Sequence, residues 1–320
     1  MAFDMKYRVA VLMGDFGGER EVSLKSGRAI LKGLREAGHE AIPYEVTDPT
    51  LPGLEDMLPD VAFVALHGTF GEDGGVQQVL DGMAIPYTGS GAAASRLGMD
   101  KLASKRLFVR HGVPTADYFV IARGDDLCTI AQNAEQFGYP LVCKPTCSGS
   151  SLGISIVREP AQLQDAVSCA RAVGDEVLVE RYVSGREFTG GVLDGEALPL
   201  VELVVGREFF DYEAKYHDES TRYITPVALL PTLYRRASDA TVRAYEALGC
   251  RHMARVDLLY GFDGGLYVLE VNTIPGFTPR SLMPMAAAQA GMPFAQLCDH
   301  LVRLACRDAV VVPRRRRMSA

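Results

Sequence analysis

"LYVLEVNTIPGF" (Leu266–Phe277) begins as a strand and stops behaving as one partway along. Apolar residues run to Leu269, then a carboxylate and a carboxamide, Glu270 and Asn272, follow one residue apart, and Pro275 with Gly276 closes the run. Residues i and i+2 of a strand project from the same face. The two oxygen-bearing groups therefore stand side by side where the chain leaves its sheet. Asp257, in "ARVDLL", falls on the strand before, across a short turn around Asp263–Gly265. Three oxygen donors on two neighbouring strands, with no His or Cys among them, suit a hard cation that keeps some water and phosphate oxygens, such as Mg²⁺. A hairpin-edge polar group explains any one of them better than a metal does; all three in this arrangement favour the metal.

Outward from this hairpin, strand-like and helix-like segments alternate, which argues for α/β architecture with helical crossovers. Tyr7–Met13 reads as a strand, followed by a helix that stops at Gly38; "DVAFVALHG" is another strand, and "GMDKLASKRLFVRHG" a helix closed by Gly112. "PLVCKP" and "GISIV" are short strands joined by "TCSGSSLG", and "EVLVERYV" is a third. Longer strands return after residue 185, and a final helix covers roughly 292–306. The expected division is an N-terminal α/β unit at 1–99, a small central unit at 100–184, a C-terminal unit at 185–308, and a disordered basic tail at 309–320.

The 320-residue length suits two or three packed α/β units. A net charge of −7 gives no general attraction to nucleic acid or anionic membrane. No apolar run approaches the length of a membrane span. The 7 cysteines show neither CxxC pairs nor a disulfide framework, so they are expected to be reduced thiols of a cytoplasmic protein. "RRRRMSA" reads as a solvated end rather than a binding tail.

If a metal is present, phosphates need further cations. Lys144 follows apolar strand residues, where an unpaired ammonium is costly to bury. The loop after it, Ser148–Gly153, is short enough for its N–H groups to wrap phosphate oxygens. Lys101 can supply a second cation. In "VLVERYVSGRE", Glu180 at a strand end can read an adenine amino group, while Glu187 suits ribose hydroxyls; either alone reads as a surface acid. The glycine turn "GDFGGEREVS" invites a dinucleotide reading, but it is not GxGxxG, and Glu19 and Glu21 occupy the first helical turn. At about 4 Å and an effective dielectric near 20, reversing a ligand's sign swings the interaction by roughly 8 kcal/mol. Glu19 therefore suits an ammonium. His67, in the loop "LHGTFGEDG", can orient a carboxylate, and Lys215 and Tyr216 are the useful groups of a long aromatic-rich segment, 207–226, that reads as a lid.

With these residues assembled, the sequence resembles the ATP-grasp superfamily and, within it, the D-alanine–D-alanine ligase family. The matching stretches are "EREVSLKSG", "LHGTFGEDG", "YTGSG", "MDK", "PLVCKPTCSGSSLGIS", "VLVERYVSGREFT", "FFDYEAKY", "ARVDLL" and "LEVNTIPGFTPRSLMP", from Glu19 to Ser281 and beyond. The resemblance implies an N-terminal Rossmann-like domain, with ATP held between central and C-terminal ATP-grasp domains. It implies two-step chemistry: a D-alanyl acylphosphate forms, and the amine of a second D-alanine attacks it. By that resemblance Asp257, Glu270 and Asn272 hold two Mg²⁺ (or Mn²⁺) ions. Lys101, Lys144, Ser151 and Lys215 contact phosphates, and Glu180, Val183 and Glu187 contact adenine and ribose. Glu19 binds the first D-alanine's ammonium, with Ser150 and Tyr216 completing a lid-closing set. Arg255 and the N–H of Gly276 stabilise the oxyanion, and Ser281, with His67, serves the substrate side.

The family further implies a homodimer and a role in peptidoglycan synthesis. Two departures stand out: the turn Gly14-Asp15-Phe16-Gly17-Gly18 lacks a small hydroxyl residue, and Cys147-Ser148 replaces a charged residue before "GSS". The alternatives are a sister ligase using D-serine or D-lactate, which Tyr216 rather than Phe disfavours for D-lactate, and a catalytically inactive ATP-grasp binder.

Overall fold

The computed structural model describes residues 5–16, 18–147, 152–204 and 221–311, and these form three sheets. The first is parallel, in the order β2-β1-β3, with β1 at Arg8–Gly14, β2 at Glu40–Val46 and β3 at Val61–Val64. "RVAVLMG" shows no polar alternation because both faces of β1 are covered. Val9, Val11 and Met13 share a core with helix α1 (Arg20–Glu36), while Ala10 and Leu12 share another with α2 (Gly75–Met83). Gly38 lies just past α1 with a left-handed φ of 90°, the conformation that glycine supplies at a helix end.

Two short helices, α3 (Ala92–Met99) and α4 (Lys101–Arg110), lead to the second sheet. Asp100 caps α4 by accepting the Ala103 N–H at 2.9 Å. The second sheet is antiparallel, in the order β4-β7-β5-β6: Tyr118–Ile121, Val177–Arg181, Leu141–Pro145 and Ser155–Val157. Helices α5 (Leu127–Phe137) and α6 (Leu163–Arg171) cover one face. Alternation does the sorting. Leu141, Cys143, Val177 and Val179 point into that core, which leaves Val142, Lys144 and Glu180 to the opposite face.

The third sheet is antiparallel, β11-β10-β8-β12-β13 with β9 paired to β8. It comprises β8 (Gly185–Leu193), β9 (Glu196–Ala197), β10 (Val201–Val204), β11 (Arg222–Ile224), β12 (Met253–Gly261) and β13 (Leu266–Asn272). Helix α7 (Pro231–Ala247) packs its alanines 237, 240 and 244 on one face. Gly190 permits this approach, since a Cβ there would lie 2.4 Å from the Thr241 hydroxyl.

Two helices follow, α8 (Leu282–Gln289) and α9 (Phe294–Val311). Although α9 comes last in the chain, it completes the core of the first sheet, with Leu297, Leu301 and Val302 packed beside Leu24, Ile30 and Leu34 of α1. Two histidines fasten it. His39 accepts the Tyr7 N–H at Nδ1 and meets Asp299 at 2.8 Å through Nε2; His252 accepts the Gly89 N–H and meets Asp308 at 2.9 Å. The helix thus runs beyond the 309 boundary expected for a tail, and the arginine run lies outside the described residues.

Candidate active site

The uncovered faces of the second and third sheets look at one another across a cleft of about 390 Å³. Val142, Lys144 and Glu180 line one wall; Glu187, Asp257, Leu269 and Glu270 line the other; Lys101 of α4 stands between them. The linker between the walls contributes Val183. On the strands, Val142, Lys144, Glu180, Glu187 and Asp257 reach the cleft through alternation against helix-covered back faces.

The carboxylate end is built by the hairpin β12–β13. Arg255 pairs with Asn272 and Asp257 with Glu270 across the two strands. Between Asp257 and Leu258 the register shifts, so Leu269 and Glu270, consecutive in sequence, both line the cleft. This is the effect of a β-bulge, which re-aims a side chain without ending the strand. Asp257 accepts two hydrogen bonds from Arg255, Nε to Oδ1 at 2.9 Å and a terminal nitrogen to Oδ2 at 2.8 Å, and a third from the Thr189 hydroxyl at 3.0 Å. Glu270 lies 3.4 Å from Lys101 Nζ, and Asn272 Oδ1 accepts the Ile274 N–H at 2.9 Å.

Among the described residues no cluster of three or more His, Cys, Asp or Glu side chains gathers as a self-sufficient metal cage. The set here, two opposed carboxylates and one carboxamide, has a different chemistry. It fits a hard divalent cation that takes its remaining ligands from water and a phosphorylated substrate.

The cationic end is more crowded. Glu180, buried on β7, receives Lys144 at Oε2 and Lys105 at Oε1, the latter at 2.5 Å. Lys105 Nζ also donates to Thr115 Oγ1 at 2.6 Å and to the Ala116 carbonyl at 3.1 Å. Burial lowers the Lys144 amine to about 8; the nearby Lys101 charge pushes the same way and Glu270 opposes it. Burial also depresses Lys105, with Lys144 as the second cause. The contact with Glu180 acts in the other direction, and an N···O approach this short suits an ammonium on a carboxylate.

A third cluster lies at the first sheet's C-terminal edge. Glu19 is the N-cap residue of α1, and Gly68, with φ 73°, lies so close that a Cβ on it would sit 2.6 Å from Glu19 Oε2. His67 is buried, with Nε2 3.3 Å from the Ser26 hydroxyl and Nδ1 3.6 Å from Glu72. Ser26 in turn accepts the Phe277 N–H at 3.3 Å, which ties the loop after β13 to α1. In that loop Ser281 Oγ accepts the Thr278 N–H at 3.0 Å, and Gly276 has Ser281 Oγ 3.5 Å from where its Cβ would be. Glu19, His67, Gly276 and Ser281 are thus on one side of the hairpin, continuous with Asn272.

Ser150, Ser151, Lys215 and Tyr216 lie outside the described residues. Lys105, Thr115 and Thr189 were not singled out from sequence, yet Lys105 touches Glu180, Thr189 touches Asp257, and Thr115 bonds to Lys105. The available signal for Lys105 was its place in "KLASK", one helical turn after Lys101 on the same face.

Two antiparallel sheets closing on a charged cleft, with a parallel α/β unit beside them, make this an ATP-grasp fold. Residues 107–303 match the family model described as D-ala D-ala ligase C-terminus, and residues 52–90 match its N-terminus counterpart. The chain is 44% identical to the D-alanine–D-alanine ligase of Syntrophotalea carbinolica over 92% of its length and 95% of that protein. It is 44% identical to the enzyme of Geobacter sulfurreducens over 92% and 93%. The crystal structure of a D-alanine–D-alanine ligase from Bacillus anthracis complexed with ATP is similar with a TM-score of 0.84 at 32% identity, covering 95% of this chain and 99% of that one. The chain belongs to the D-alanine–D-alanine ligase family.

Proposed function

We propose that this protein joins two D-alanines into D-alanyl-D-alanine at the expense of ATP, releasing ADP and phosphate. The observation that carries this reading is the make-up of the cleft: the amines of Lys101 and Lys144 face the paired carboxylates Asp257 and Glu270, with Lys101 3.4 Å from Glu270. Few nucleophiles and many fixed charges suit phosphoryl transfer, in which positioning and electrostatics do most of the catalysis.

ATP enters between the sheets with its adenine against Val183 and its amino group toward Glu180. Glu187 takes the ribose, and Lys101 and Lys144 take the phosphates, with Ser151 and Lys215 added from the two loop segments. Asp257, Glu270 and Asn272 would hold the divalent ions, which neutralise charge on the transferring phosphoryl group when bound.

Glu19 receives the ammonium of the first D-alanine and, with His67, Ser150 and Tyr216, fixes its orientation. A carboxylate oxygen of that D-alanine then attacks the γ-phosphorus; the P–O bond to ADP breaks and an acylphosphate forms. The uncharged amine of the second D-alanine, whose carboxylate Ser281 anchors, attacks the acyl carbon. Arg255 and the Gly276 N–H donate to the oxyanion. Collapse expels inorganic phosphate carrying the original carboxylate oxygen, and the amine's proton goes to solvent or phosphate.

Homodimerisation, a cytoplasmic location and a role in peptidoglycan synthesis are part of the same reading, as is the division at residues 99, 184 and 308. Phosphate release from Mg-ATP with D-Ala, L-Ala, D-Ser and D-Ala plus D-lactate, with product analysis, tests the assignment. D-Ala-dependent release with equimolar D-Ala–D-Ala is expected; release that ignores D-Ala, or none with ATP bound, overturns it.

A further inference from the structure

Glu180 is held by two lysines, and one of them has no place in the reaction described above. Lys105 is 2% exposed at its side chain and lies behind Glu180 as seen from the cleft, which it does not line. Its ammonium touches Glu180 Oε1 on β7, Thr115 Oγ1 and the Ala116 carbonyl, and it stands 5.3 Å over the Tyr118 ring. Thr115 Oγ1 donates onward to the Val268 carbonyl at 3.0 Å. Val268 is on β13, two residues before Glu270. A continuous polar relay, Glu180–Lys105–Thr115–Val268, therefore links the wall that faces the base to the strand that carries Glu270 and Asn272. Lys101 and Lys105, one turn apart on α4, reach Glu270 and Glu180 respectively, so the same helix grips both walls.

Bulk and shape do not account for this lysine. Burying an ammonium beside a carboxylate is at best neutral compared with an apolar side chain of equal length. The neighbourhood of α4 already contains a fitting apolar core, with Phe108 fully buried. What the charge supplies is an ionised Glu180 held in one orientation while Lys144, its other partner, turns to a phosphate.

We propose that Lys105 is a positioning residue for nucleotide recognition, which keeps Glu180 aimed at the purine amino group and in register with Glu270 of β13. This rests on the reading of Glu180 as the group that meets the base. ATP and ITP separate a positioning role from a scaffolding one, because ITP carries an oxygen where ATP carries the amino group. Steady-state kinetics with both nucleotides is the test, on Lys105→Met, Lys105→Arg and Glu180→Gln, with melting temperatures alongside. The preference for ATP over ITP in kcat/KM is expected to fall about tenfold in Lys105→Met, with KM for ATP raised and kcat within about threefold, and to return in part in Lys105→Arg. Should Lys105→Met not fold, Thr115→Val, which removes one oxygen that fixes the ammonium, is expected to lower the preference in the same direction.

An unchanged preference in the Lys105 and Thr115 variants, with Glu180→Gln lowering it, overturns the proposal alone. Equal loss with both nucleotides and a lower melting temperature does the same, since that is scaffolding. An unchanged preference in Glu180→Gln removes the base-reading role and the proposal with it.

Discussion

Replacing Arg255 with Met separates the catalytic reading of this arginine from a structural one. In the wild-type protein the guanidinium makes two charge-assisted hydrogen bonds to Asp257 at 2.9 and 2.8 Å, and the two side chains are 13% and 18% exposed. Without the arginine, Asp257 keeps only the Thr189 hydroxyl among these donors. Breaking one partner out of a largely buried pair costs about 3–5 kcal/mol, which for a protein of this size lowers Tm by roughly 5–15 °C. A divalent ion at Asp257 answers the same stranded charge, so saturating Mg-ATP is expected to narrow that gap. Loss of an oxyanion donor removes about 2.7–4 kcal/mol of barrier lowering, or roughly 10²–10³ in kcat. Phosphate release at saturating D-Ala and ATP gives kcat, and calorimetry with and without Mg-ATP gives the two Tm shifts. A kcat within threefold of wild type beside the full Tm loss would refute the oxyanion role and leave Arg255 as a structural partner of Asp257.

Three further outcomes follow from the site. The Lys144 amine, lowered to about 8 by burial, loses its charge as pH rises through that value, so kcat/KM for ATP should fall above about pH 8; a Lys144→Arg variant, always charged, should flatten that limb. The same depressed value means the fold binds fewer protons than the unfolded chain between about 8 and 10.5, so this group alone makes stability rise with pH there. Gly68→Ala forces a left-handed φ on a non-glycine residue and drives a methyl to 2.6 Å from Glu19 Oε2; KM for the first D-alanine should rise by roughly fivefold to a hundredfold, for about 1–3 kcal/mol of strain and displaced carboxylate, with ATP binding by calorimetry unchanged. Removing divalent ions with EDTA should abolish turnover, and adding Mg²⁺ or Mn²⁺ back should restore it; full activity in EDTA would disprove the role given to Asp257, Glu270 and Asn272.

Period-two alternation made the site's centre legible in the sequence. Glu270 and Asn272 on one face, with Asp257 across the turn, follow from counting along two strands, and the pairing of β12 with β13 has that register. The bulge that brings Leu269 and Glu270 together into the cleft was not legible, because no Gly or Pro marks it within "LYVLEVN". "PLVCKP" read as a strand ending in a costly lysine, and the cost is met by Glu180. Lys105 escaped notice because its partner lies 75 positions further on, at residue 180, and only folding brings them together. The destination of α9 was hidden for the same reason. An amphipathic helix announces an apolar face but not its partner, and the His39–Asp299 and His252–Asp308 contacts that fasten it span large sequence separations. Helix α8, short and apolar nearly all round, carried too little periodicity to be read.

The account turns on a D-alanine carboxylate oxygen attacking the γ-phosphorus, and an oxygen label follows that oxygen directly. D-Ala carrying ¹⁸O in its carboxylate is incubated with the protein and Mg-ATP, and the released phosphate is analysed by mass spectrometry. The account predicts one ¹⁸O in each phosphate released, matched by an equal amount of D-Ala–D-Ala. Unlabelled phosphate formed alongside the dipeptide would contradict it, because the carboxylate oxygen would then never have been bonded to the γ-phosphorus.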